Sequence, residues 1–167
     1  MSESRLVIDE KKIGYKGLIN VKGLYREAKE FLDSNAYDSF ESYNEEQVYE
    51  DGKQIILHLD GEKKLSDYAK IQWKTKFFFE NLEDVDVEKE GKKLNISKGK
   101  VKLETSVFVV TDYDKSFSQN AFQYFLRIVI DKFIFKNYLN RSMDTAKKHY
   151  AKYEEKLKKY LNMEMFK

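Results

Sequence analysis

The chain has 167 residues, 41% hydrophobic and 36% charged, which is enough apolar material for one core under a heavily charged surface and excludes an unfolded polymer. It has no cysteine, which excludes disulfides and thiolate chemistry, and its two histidines leave an ordinary zinc site short of ligands. Net charge is only +2, but it is segregated: residues 37–62 hold eight acidic residues and one lysine, and residues 141–167 hold eight basic and four acidic ones.

Proline is absent, so no kink, cis bond or turn depends on it. Lysine far outnumbers arginine, a pattern that reads as base-composition bias in an AT-rich genome. The N-terminus, MSESRLVIDEKK, is charged from its third residue and lacks a signal-peptide pattern. The apolar run Ile128 to Ile130 meets Asp131, and no run approaches the ~20 residues of a membrane span. A cytoplasmic protein without a membrane partner is the expectation.

Residues 5–19 read as a first strand with a Gly-rich exit. In VKGLYREAKEFLDSNAY, Leu24, Ala28, Phe31 and Leu32 recur at helical spacing, and Asp33-Ser34-Asn35 closes the helix. Phe40–Glu50 and Lys53–Asp60 flank Asp51-Gly52, a two-residue hairpin signal. That register puts Val48 opposite Ile55, and Glu46 and Asn44 on the same inner face. Residues 61–67 turn the chain into a long strand, Tyr68–Asn81. Val85 and Val87 alternate with acids, Gly91 turns into Lys93–Ser97, and Gly99 breaks the chain again before the last strand, Lys100–Asp112. Thereafter the period changes to 3.6. Phe122, Phe125, Leu126, Val129, Phe133 and Ile134 form an apolar stripe, followed by a heptad-like seam of Met143, Ala146, Tyr150, Tyr153, Leu157 and Tyr160. The helix is expected to kink or restart near Lys136-Asn137 and Asn140-Arg141.

Strand, helix, antiparallel meander and late helix together predict one α+β domain over residues 1–167, with residues 141–167 a basic helical extension. The 121–135 helix is the expected lid over one sheet face. This order resembles the START-like (SRPBCC) superfamily of helix-grip folds, in which a curved sheet wraps a C-terminal helix; one clear helix follows the first strand here, where that superfamily often has two. GLYREAKEFL, KTKFFFENLEDVDVEKEGKKLNISKGKVKLE and FLRIVIDKFIFKNYL are similar to stretches of small archaeal proteins of that layout. The resemblance implies an apolar ligand between sheet and helix; it brings no catalytic residues, and no cofactor is expected.

On that layout Trp73, Phe77, Phe125 and Val129 would line a cleft, with Glu46 and Asn44 as polar groups at its wall, against the plainer reading of ordinary core and a solvent-facing edge strand. Ile56, Phe78, Phe108 and Val110 fall on the other side of their strands and mark an outer apolar face, covered either locally or by a second copy. Lys147, Lys148, Lys152, Lys156, Lys158 and Lys159 alternate with tyrosines, a pattern that suits nucleic acid as well as a solvated helix. His58 with Asp60 is a base-and-orienter pair without a nucleophile. His149 reads as a solvated residue among lysines. Asp84, Asp86 and Glu88 diverge along a strand and suit edge protection better than a cation. Asp112 and Asp114 suit turn chemistry. There is no phosphate-cradling glycine motif. A non-catalytic binding protein is expected, with an apolar ligand, a protein partner or a homodimer ahead of nucleic acid.

Overall fold

A computed structural model of the protein describes residues 3–111, 113, 121–129, 132–133 and 136–165. Five strands, β1 (Glu3–Ile19), β2 (Asp38–Tyr49), β3 (Gly52–Lys64), β4 (Ala69–Lys89) and β5 (Lys92–Thr111), pair antiparallel in the order β1-β5-β4-β3-β2. Helix α1 (Val21–Ser34) links β1 to β2, the two edge strands, so it must cross the sheet. Helices α2 (Ala121–Val129) and α3 (Lys136–Met165) follow the last strand. The α+β class and the long C-terminal helix agree with the sequence. Asn20 caps α1 by accepting from the Gly23 amide at 2.9 Å.

The sheet has fewer and longer strands than the turn signals suggest. Gly99 does not end a strand; it faces a bulge in β4, where Glu80 pairs with Lys100 and the next pair is Glu83 with Lys98. Asn81 takes up the slack at a left-handed φ of 52°, and a β-carbon on residue 99 would lie 2.8 Å from the Glu80 carbonyl oxygen. The ladder bends there and continues. At the first hairpin Val48 pairs with Lys53 and Glu46 with Ile55, two residues from the expected register. A shift of two keeps every side chain on its face, so Asn44 and Glu46 stay on the inner side.

One face of the sheet carries α1 and α3. Trp73, Phe77 and Phe79 of β4 and Leu103, Val107 and Val109 of β5 alternate with residues of the outer face and are buried against Leu24, Phe31 and Leu32 of α1 and Ala146, Tyr150, Tyr153, Leu157 and Leu161 of α3. Burying each such side chain contributes about 1.5–3 kcal/mol. Phe31, Trp73 and Tyr153 meet as a ring cluster, with Trp73 and Tyr153 centroids 5.1 Å apart.

The lid is therefore α3, and the expectation for 121–135 is corrected. Both segments have an apolar stripe, and periodicity alone cannot choose between them. Small Ala146 beside the tyrosines lets α3 seat closely, and the Tyr153 hydroxyl finds a buried partner in Thr75. The heptad-like seam is this packing surface. Helix α3 begins at Lys136, where a restart is expected, and runs through Asn137–Arg141 without interruption.

Candidate functional site

The space between sheet and helix is built around one hydroxyl. Thr75 Oγ1 accepts from Trp73 Nε1 at 3.1 Å and from the Tyr153 hydroxyl at 3.1 Å. Its own proton then goes to Thr105 Oγ1, 3.2 Å away. Burial pushes the Tyr153 hydroxyl above the ordinary phenol range. The group of residues expected to line a cleft does not come together here. Trp73 and Phe77 are fully buried and in ring contact with Tyr150, Tyr153 and Tyr25. Phe125 is 61% exposed and Val129 half-buried, and neither belongs to the core. Asn44 and Glu46 keep the inner face but are exposed, because edge strand β2 overhangs the helices. Asn44 donates to Glu41, and Glu46 lies 4.0 Å from Lys53.

Neither histidine sits in a catalytic arrangement. His58 lies on the outer face with its ring 4.9 Å from that of Tyr43; burial and then Lys76 hold its pKa down, against the pull of Asp60. His149 departs from the solvated reading. It is half-buried, its Nδ1 is 2.9 Å from the Tyr37 hydroxyl, and burial, Lys63 and Lys152 lower its pKa. Asp84 bonds to Lys53 at 3.0 Å and to the Ser97 hydroxyl at 3.1 Å, and these two bonds hold its carboxyl below the usual range. Among the described residues no group of three acids and histidines converges as metal ligands. Asp112 and Asp114 lie outside the described residues.

Three surfaces remain. On α3, Lys147, Lys148, Lys152 and Lys159 are exposed; Lys156 pairs with Glu27 at 3.1 Å and Lys158 with Glu154 at 2.7 Å. Tyr150 and Tyr153 face the sheet, so this face offers cations without aromatics beside them. On the outer sheet face Ile56, Phe78 and Phe108 are half-buried and Val110 is buried. Ile56 pairs with Phe78, and the Lys102 ammonium sits 5.1 Å over the Phe78 ring, so neighbours on the sheet supply much of its cover. Phe108 pairs instead with Leu6 on β1.

The third surface is α2. Of its nine residues, AFQYFLRIV, seven are apolar or aromatic. Gln123 is half-buried, whereas Phe122 (69%), Tyr124 (55%), Phe125 (61%), Leu126 (37%) and Ile128 (45%) are exposed, as is Phe133 (76%) in the described turn beyond. That is the reverse of a helix on a finished globular surface. The exposure of this helix was beyond sequence reasoning, since an apolar stripe looks the same whether or not it is covered. The Tyr37–His149 bond joins residues 112 apart and left no local signal. No protein-family model matches the chain, and no curated protein matches it. No helix among the described residues is long and apolar enough to cross a membrane.

Proposed function

We propose that the chain is a non-catalytic assembly protein that binds a second copy of itself through α2. The carrying observation is the outward apolar side of that helix. At roughly 200 Å² per aromatic side chain, the exposed parts of Phe122, Tyr124, Phe125 and Phe133 alone amount to about 500 Å². A stable interface takes about 800 Å² per partner, so four side chains supply more than half of it. An isologous contact suits the helix, because Ala121–Val129 carries a single charged residue and brings little like-charge repulsion to a pair of copies.

The layout is read as helix-grip, supported by α3 lying on the inner face and by bulges in β1, β2 and β4, the device that curves a sheet. The ring cluster around Trp73 favours a partner at the surface over an apolar ligand inside. The chain has no native cysteine, which allows a direct test. Leu126→Cys, at the centre of α2, should oxidise to a covalent dimer, while Lys74→Cys on the sheet should stay monomeric under the same oxidant. Cross-linking from Lys74→Cys and none from Leu126→Cys contradicts the reading.

A further inference from the structure

The outer sheet face has a second character besides its few apolar residues. Across β1, β5 and β4, the segments 12–16, 74–80 and 100–104 contain six lysines and two glutamates, and all eight charges project outward. Lys16 stands directly opposite Lys100, with Glu80 on the other side of Lys100. Like charges facing each other across a ladder are destabilising. Lys16, Lys74 and Lys100 form no ion pair among the described residues. Glu104 is already shared by Lys12 and Lys102, at 3.7 and 3.1 Å.

These lysines border a groove. Gly14 pairs with Lys102, which pairs in turn with Phe78, and a β-carbon at Gly14 would meet nothing within 4 Å. The resulting hollow of about 420 Å³ is lined by Lys16, Lys100 and Lys102, by one carboxylate, Glu80, and by the Phe78 ring. A second hollow of about 500 Å³ shares Lys16 and Lys100 and adds Lys98, Asn81 and Glu83, so the lysines of the two hollows outnumber their carboxylates four to two. Together they form a trough across three strands, longer than one small anion needs.

We propose that this trough binds single-stranded nucleic acid, the lysines taking phosphates and the Phe78 ring taking a base. Single strands are held by such a combination of cations along a track and an aromatic platform. The ring already accepts the Lys102 ammonium at 5.1 Å; a base would take that place and leave Lys102 to reach a phosphate. A duplex keeps its bases stacked and could not use the ring. An anionic membrane needs apolar groups that insert, and Phe78 is recessed among lysines. The site is independent of α2, and it has what the α3 lysines lack, an aromatic surface between the charges.

The test is fluorescence anisotropy of the full chain with labelled oligouridine and oligothymidine of about 15 nucleotides, across a salt series. About four phosphate contacts predict a slope of log affinity on log salt near −3. Lys16→Glu/Lys100→Glu/Lys102→Glu should weaken binding at least tenfold, Phe78→Leu about tenfold, and Lys147→Glu/Lys148→Glu/Lys152→Glu on α3 less than twofold. Should the sheet triple not fold, Lys16→Gln/Lys100→Gln should make the slope shallower by about 1.4. The proposal is overturned by absence of binding at low salt, by loss in the α3 triple with none in the sheet variants, or by binding of phosphatidylserine vesicles in place of the oligonucleotides.

Discussion

Replacing Thr75 by valine conserves shape and removes the one acceptor that two buried donors share. Trp73 Nε1 and the Tyr153 hydroxyl both donate to Thr75 Oγ1, and all three residues are fully buried. A buried donor left without its acceptor costs about 1–3 kcal/mol, so Thr75→Val should cost roughly 2–5 kcal/mol. Tyr153→Phe removes a donor and leaves Thr75 bonded to Trp73 and Thr105; it should cost about 0.5–1.5 kcal/mol. The double variant should be more stable than the two losses added together, because the phenylalanine has no hydroxyl to strand. Trp73 is the chain's single tryptophan and lies in this cluster, so its emission reports unfolding in urea directly. With a denaturant slope of about 2 kcal/mol per molar, the Thr75→Val midpoint should fall by about 1–2.5 M. A Thr75→Val loss no larger than that of Tyr153→Phe, or strict additivity in the double variant, refutes this account of the lid.

His149 has a folded pKa below its unfolded value of about 6.5, so the unfolded chain binds its proton first as pH falls. Stability on this account is full above about pH 6.5 and declines below it; the melting temperature should drop between pH 7 and 5, and less so in His149→Gln. Gly99→Ala should cost about 1–3 kcal/mol in urea unfolding, because the added carbon meets two backbone oxygens of the β4 bulge rather than a side chain that can move. Asn20→Ala removes the cap of α1 and should cost about 1 kcal/mol by the same measurement.

What the sequence made legible follows from where the physics is local. Alternation along Tyr68–Asn81 puts Trp73 and Phe77 on one side of the strand and Phe78 on the other, and the side chains follow that assignment. The helical spacing of Leu24, Ala28, Phe31 and Leu32 marked the buried side of α1. Gly99 is ambiguous in sequence because glycine marks both a strand end and a bulge; only the partner strand, with Asn81 at positive φ, decides between them. Choosing α3 over α2 as lid depended on close packing of Ala146 and on a hydroxyl pair 78 residues apart, neither of which periodicity contains. The cationic trough escaped for a related reason. Lys16 and Lys100 are separate lysines until the β1–β5 register sets them side by side.

Self-association through α2 is tested most directly by sedimentation equilibrium over a range of concentrations, comparing the wild-type chain with Phe122→Asp/Phe125→Asp. The account predicts a wild-type mass near twice 20.0 kDa and a variant that sediments as a folded single chain. A monomeric wild-type protein at all concentrations, or a variant that still dimerises, contradicts it.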